Sequence, residues 1–128
     1  MRLRLVTYNV RRCQGRDRRV SCDRIAEVLA DLEPDVAALQ ELDVGRPRSG
    51  HLDQPGRIAE CLRMEHVFHA SMDLDGGHYG NATLSRFPLA TRKAAALPGL
   101  PRGGARERRS ALWVSLEASG REVHVVNT

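Results

Sequence analysis

The stretch "VAALQELD", residues 36–43, constrains this chain more than any other. It opens as a continuous apolar run, bounded by Pro34 before it and Gly45 after it. A short apolar run between turn signals reads as a strand covered on both faces. Such a strand needs one layer above it and another below. The run then stops at Gln40 and Glu41, two polar side chains where core residues would continue it.

The surrounding sequence supplies candidates for those layers. Residues 2–10 read as a strand, with Arg2 and Arg4 alternating against Leu3 and Leu5. An Arg-dense loop, "RRCQGRDRRV", follows. Ser21 is placed to cap a helix, although Arg24 stands where a capping box would carry Glu. Ile25, Val28, Leu29 and Leu32 recur at helical spacing, and Glu33-Pro34 ends that helix. After the Pro- and Gly-rich segment "DVGRPRSGHLDQPG", a second helix is expected over roughly residues 55–63, with Ile58, Ala59 and Leu62 facing inward. "EHVFHA" reads as a strand and "SMDLDGGHYG" as a turn-rich loop. "NATLSRF" and "LATRKAAAL" read as strands, and "PGLPRGGARER" as a loop. "RSALWVSLEA" and "REVHVVNT" flank Ser119-Gly120 as a hairpin. The order predicts an α/β fold, a mixed sheet with helices on one face. The other face also needs cover, and two helices are too few to supply it.

Length sets one domain with a true core, since the chain has 128 residues, 41% of them hydrophobic and 28% charged. Aromatic residues make up only 4%, which argues against a single-strand binder built on stacking platforms. The net charge of +4 suits a polyanionic partner. Nearly all of the positive charge is arginine, with Lys93 the only lysine, and arginine-rich codon usage accounts for that equally well. Cys13, Cys22 and Cys61 are odd in number and lack metal-binding spacing, so reduced thiols in a cytoplasmic protein are expected. The N-terminus has no signal-peptide pattern, and no apolar run is long enough for a membrane span.

Two other strands end as the central one does. "LVTYNV" carries Asn9, and "VHVVNT" carries Asn127. Open α/β sheets bind ligands outside the carboxyl ends of their strands. If these ends lie side by side, two amides and a carboxylate share one rim. A carboxylate there is a natural ligand for a hard cation such as Mg²⁺, which keeps waters and substrate phosphate oxygens in its shell. Each residue taken alone is equally well an ordinary polar strand end.

Taken in order, "TYNV", "LQE", "YGNATLSRFPL", "ERRSALWVSL" and "HVVNT" resemble the endonuclease/exonuclease/phosphatase superfamily, the deoxyribonuclease I-like group. The resemblance spans the whole chain and implies the N-terminal half of a four-layer α-β-β-α sandwich, with the other half supplying the second sheet. It implies hydrolysis of a phosphodiester or phosphomonoester, possibly DNA, with Mg²⁺ or Mn²⁺. By resemblance, Glu41 binds the cation and Asn9 helps position metal and phosphate. Tyr79 and Asn81 lie beside the scissile phosphate. Arg109 stands for the Arg of an E-P-R segment, although Arg108 replaces the Pro. His78, in a Gly-rich loop, either donates to phosphate when protonated or is a surface histidine. His51, His66, His69 and His124 read as structural or surface residues. Arg11, Arg12, Arg16, Arg18 and Arg19 follow Asn9 closely enough to reach a polyanion at the rim, or form a plain surface loop.

The family pattern continues past "HVVNT" with a His, an Asp-x-Asn segment and a closing Asp-His, and none of these is within the 128 residues. The resemblance assigns them water activation, further metal ligation and transition-state stabilisation. Groups that act as a unit fail together. The 128-residue chain alone is therefore expected to be inactive or nearly so, and to associate through its uncovered sheet face. A phosphate-binding module without catalysis and a half-domain completed by a partner are the alternatives.

Overall fold

A computed structural model describes residues 1–99 and 108–128. The chain runs β1 (Leu5–Asn9), α1 (Cys22–Leu32), β2 (Val36–Val44), α2 (Gln54–Leu62), β3 (Glu65–Leu74) and β4 (Gly77–Ser85). It continues β5 (Leu89–Ala96), β6 (Ser110–Ala118) and β7 (Arg121–Asn127). Most of the loop expected after Leu97 lies outside the described residues.

Local chemistry sets the helix ends. The Ser21 side chain accepts the Arg24 N–H at the start of α1, and Glu33 closes it in a left-handed conformation just before Pro34. Asp53 caps α2 by accepting the Gly56 N–H, with proline in the first turn. Both hairpins turn on two residues of positive φ, Asp75-Gly76 and Ser119-Gly120.

The strands form two sheets rather than one. The first has the order β1-β2-β4-β3, with β1 and β2 parallel and the other pairs antiparallel. The second has the order β5-β6-β7, all antiparallel. This corrects the expectation that a second sheet must come from outside these residues: part of it is here. Val36, on the first sheet, packs with Leu112, Val114, Leu116, Ala118 and Val125 of the second. The other face of the first sheet meets α1 and α2 through Leu29, Leu39, Leu42, Ile58 and Leu84, all fully buried. Each such side chain contributes about 1.5–3 kcal/mol of burial free energy. Strand β2 is covered on both faces, as its apolar run requires. Among the described residues, uncovered surfaces include the β1 edge, where Leu5 is 58% exposed, and the outer face of the second sheet, where Val126 is 60% exposed.

The expectation of a loop over "SMDLDGGHYG" is also corrected. Strand β3 runs to Leu74 and β4 starts at Gly77, so the segment is a strand hairpin. Asp75-Gly76 is a turn pair of the kind that closes two-residue hairpins, while the flanking polar residues hide the strands.

Strand β4 is flanked by two bulges at one level. On β2 the register shifts between Leu39 and Leu42, so Gln40 and Glu41 both lie against Asn81. On β3 it shifts between Ala70 and Met72, leaving Ser71 as the extra residue. Gly80 sits between them, and a β-carbon there would lie 2.0 Å from the His69 carbonyl oxygen. Gly80→Ala is expected to cost about 1–3 kcal/mol by overpacking the bulge. A urea denaturation midpoint equal to that of the unsubstituted protein would show that this close approach is dispensable.

Candidate functional site at the strand ends

The three polar strand ends do converge. Asn9 pairs with Gln40 in the parallel β1–β2 ladder. The Asn9 side-chain Nδ2 donates to Glu41 Oε1 at 2.8 Å, and Arg11 N donates to Asn9 Oδ1 at 3.0 Å. The amide therefore turns its donor to the carboxylate and its oxygen to the backbone. Asn9 orients Glu41, which stays half-buried at the rim.

Asn127 arrives from the second sheet. Its Nδ2 donates to the Leu39 carbonyl at 3.1 Å and the Ala82 carbonyl at 2.9 Å, and its Oδ1 accepts from Gln40 Nε2 at 2.9 Å. Gln40 Nε2 also donates to Thr7 Oγ1 at 3.1 Å. One buried amide thus ties β7 to β2 and β4 and holds Gln40 beside Glu41.

The β2 bulge places Glu41 itself in a left-handed backbone conformation, φ +60°. Left-handed geometry costs a non-glycine residue about 1–2 kcal/mol. Bulges beside functional sites re-aim a side chain in this way. A second left-handed segment follows Asn9, where Arg11, Arg12 and Cys13 have φ of 49°, 57° and 58°. Gln54 Nε2 donates to the Arg12 carbonyl at 2.7 Å and holds that turn.

A small depression forms where these elements meet. Glu41, Gln40, Tyr79 and Asn81 line one side, with Ser71 from the β3 bulge. Arg108, Arg109, Ser110 and Thr128 line the other. Four of the five residues expected to be catalytic, Glu41, Tyr79, Asn81 and Arg109, share this depression, and Asn9 is bonded to Glu41. Arg108, set aside as a replacement for proline, lines it too.

His78 is not brought to the rim. Side chains alternate along β4, so Tyr79 and Asn81 share one face and His78 takes the opposite one. His78 Nδ1 is bonded to Asp73 across the hairpin, and the ring is exposed. The phosphate-donor expectation for His78 is corrected to that of a surface histidine.

Beneath the rim lies a charged group that sequence spacing did not indicate. Asp43 is fully buried and accepts from Arg48 Nε at 2.8 Å, Arg48 Nη2 at 2.7 Å and the Ser49 hydroxyl. Burial pushes the Asp43 carboxyl up, but the bonds from Arg48 and Ser49 and the charges of Arg48 and Arg46 together hold it below the usual range. A depressed carboxyl contributes stability that is complete above its unfolded pKa, near ~4, and lost as pH falls through the folded value. Asp43→Asn is therefore expected to flatten the fall in stability below about pH 4, relative to the unsubstituted protein. Thermal melts across that range check it, and parallel curves would contradict it.

The start of the Arg-dense loop lies beside Asn9, where Arg11 and Arg16 share a groove with it. Arg11, Arg16, Arg18 and Arg19 are exposed, while Arg12 Nη2 donates to Gln14 Oε1 at 2.8 Å. Asp17 forks onto Arg24, whose hydrogen bonds hold its carboxyl down at about 2. Cys13, Cys22 and Cys61 are free thiols. Among the described residues no three His, Cys, Asp or Glu side chains gather into a metal cluster, and no helix is long and apolar enough to cross a membrane.

Fold and rim together define an α/β two-sheet sandwich whose strand ends gather one carboxylate, amides and arginines. The chain belongs to the endonuclease/exonuclease/phosphatase family, whose sequence profile matches residues 6–123. An endonuclease/exonuclease/phosphatase protein from Beutenbergia cavernae is 28% identical, with a TM-score of 0.73 over 98% of this chain and 37% of that one. Truncated TDP2 of Caenorhabditis elegans is 18% identical, with a TM-score of 0.64 over 98% of this chain and 45% of that one. The human nocturnin catalytic domain, solved with a bound sulfate anion, is 16% identical, with a TM-score of 0.59 over 97% of this chain and 48% of that one. This chain thus spans less than half the length of each of the three. No curated protein matches it.

Proposed function

We propose that the rim is part of the active site of a metal-dependent phosphohydrolase, most specifically a phosphodiesterase. The observation that carries this reading is the Asn9–Glu41 pair, set on a strained bulge facing Asn81, Arg108 and Arg109. The donor set fits a hard cation: one half-buried carboxylate, oriented by an amide, with oxygen donors around it. Glu41 would hold Mg²⁺ or Mn²⁺, with Asn9 keeping the carboxylate turned toward it. Bound there, the cation would neutralise charge developing on the phosphoryl oxygens. Arg109 and Arg108 offer guanidinium forks to phosphate, and Asn81 and Tyr79 border its seat. In this reading water attacks phosphorus in line.

Among the described residues at the rim, Glu41 is the only side-chain carboxylate, and it is assigned to the cation. Turnover by the 128 residues alone is therefore expected to be negligible. Exposed Arg11 and Arg16, in the groove beside Asn9, favour a polyanionic phosphodiester such as DNA, with affinity falling steeply as salt rises. The free thiols fit a reducing, cytoplasmic setting.

The uncovered β1 edge and outer sheet face favour a second reading, a non-catalytic or partner-completed half-domain. Association would then use the face carrying Trp113 and Val126. The deciding experiment is Mg²⁺-dependent cleavage of a plasmid and of bis(p-nitrophenyl) phosphate by the complete protein. Turnover lost in Glu41→Gln supports the enzyme. No turnover, together with a concentration-dependent dimer in size-exclusion chromatography, supports the half-domain.

A further inference from the structure

The charged group under the rim fastens both flanks of Glu41. Asp43 stands two residues beyond Glu41 and opposite Tyr79 in the β2–β4 register. Through its side chain it takes both arms of the Arg48 fork, and Arg48 lies over the Tyr79 ring, 5.4 Å from the ring centre. Through its backbone, Asp43 N donates to Gln54 Oε1 at 2.9 Å. Gln54 in turn holds the left-handed turn whose first N–H binds Asn9. One buried residue is thereby connected to Tyr79 on one flank of Glu41 and to the Asn9 turn on the other.

Packing alone does not call for this arrangement. A buried ion pair is often matched or bettered in stability by apolar residues of the same volume. What a bidentate fork provides is direction: it fixes the guanidinium in place, and the guanidinium lies against the face of the Tyr79 ring. Tyr79 borders the depression with Glu41 and Asn81, so the angle of its ring would decide whether the hydroxyl reaches a phosphate seated there.

We propose that Arg48, oriented by Asp43, is a positioning residue that holds Tyr79 at the angle needed for phosphate at the rim. This rests on the phosphodiesterase reading above. Arg48 does not touch the substrate. It acts through Tyr79, and its effect should vanish when the Tyr79 hydroxyl is gone.

The test is a double-substitution cycle in the complete protein, with bis(p-nitrophenyl) phosphate and Mg²⁺. The variants are Arg48→Lys, Tyr79→Phe and the pair, with Glu41→Gln alongside. Lysine keeps a cation for Asp43 but loses the two-armed fork that fixes the group over the ring. Arg48→Lys is expected to lower kcat by about tenfold while KM moves less than about twofold. The double variant is expected to be no slower than Tyr79→Phe alone. Losses that multiply, or an Arg48→Lys kcat equal to that of the unsubstituted enzyme, would overturn the proposal while Glu41-dependent turnover stands. Absence of Glu41-dependent turnover would overturn the enzyme reading and this proposal with it. Thermal melts confirm that each variant is folded.

Discussion

Replacing Glu41 with glycine is expected to make the protein more stable and to abolish the metal-dependent activity proposed above. Glu41 sits at φ +60°, where glycine is at ease and glutamate is not. The substitution relieves about 1–2 kcal/mol of backbone strain and gives up one exposed hydrogen bond from Asn9, worth about 0.5–1.5 kcal/mol. The balance favours glycine by roughly half a kcal/mol, a rise of about 1–3 °C in Tm for a chain of this size. Activity goes the other way, because the carboxylate proposed to hold the cation is gone. A loss of at least roughly 10²–10³-fold is expected, the scale seen when one preorganised electrostatic group is removed. Glu41→Gln separates the two effects, since it keeps the strain and removes the charge. It should lose activity without gaining stability. If Glu41→Gly melts below the unsubstituted protein, the strain argument fails. If it stays active, the assignment of Glu41 fails.

Asn127→Leu carries the largest expected effect on stability. Leucine has nearly the shape of asparagine but cannot donate. The Leu39 and Ala82 carbonyls would each lose their Asn127 bond, and Gln40 Nε2 would lose an acceptor. A buried polar group left unpaired costs about 1–3 kcal/mol, so the substitution should cost about 3–5 kcal/mol in total. A large fraction of the stability typical of one domain would go. The same amide holds Gln40 beside Glu41, so the rim should loosen as the sheets part. Chemical denaturation measures the first effect. A loss below about 1 kcal/mol would mean that the two sheets are held by apolar packing alone.

The sequence carried the outline of this site but not its mechanism of assembly. Asn9, Glu41 and Asn127 were visible because each interrupts an apolar run, and a run has a local signature. Ser21, Glu33-Pro34 and Ser119-Gly120 were visible because caps and turns depend on a few adjacent residues. The two bulges were not, since a bulge is a property of register between strands. Nothing near Ser71 says that β3 holds one residue more than β4 can match. The second sheet was missed for a related reason: strands 89–96, 110–118 and 121–127 pair only with one another, and alternation alone does not say which strands share a sheet. Asp43 and Arg48 are five residues apart, with no spacing that marks them as partners. Their fork closes only because the short turn at Pro47–Ser49 folds back over β2. His78 was open between a phosphate donor and a surface histidine, because only the pairing of β3 with β4 shows that strand alternation turns it away from Tyr79 and Asn81.

The measurement that tests the central claim most directly is a Mn²⁺ titration followed by amide NMR on this chain. Mn²⁺ broadens signals near its site, and binding does not require the rest of the catalytic apparatus. Selective broadening of Asn9, Gln40, Glu41 and Asn81 is expected, competed away by Mg²⁺ and lost in Glu41→Gln. Broadening centred elsewhere, or unchanged in Glu41→Gln, would contradict it.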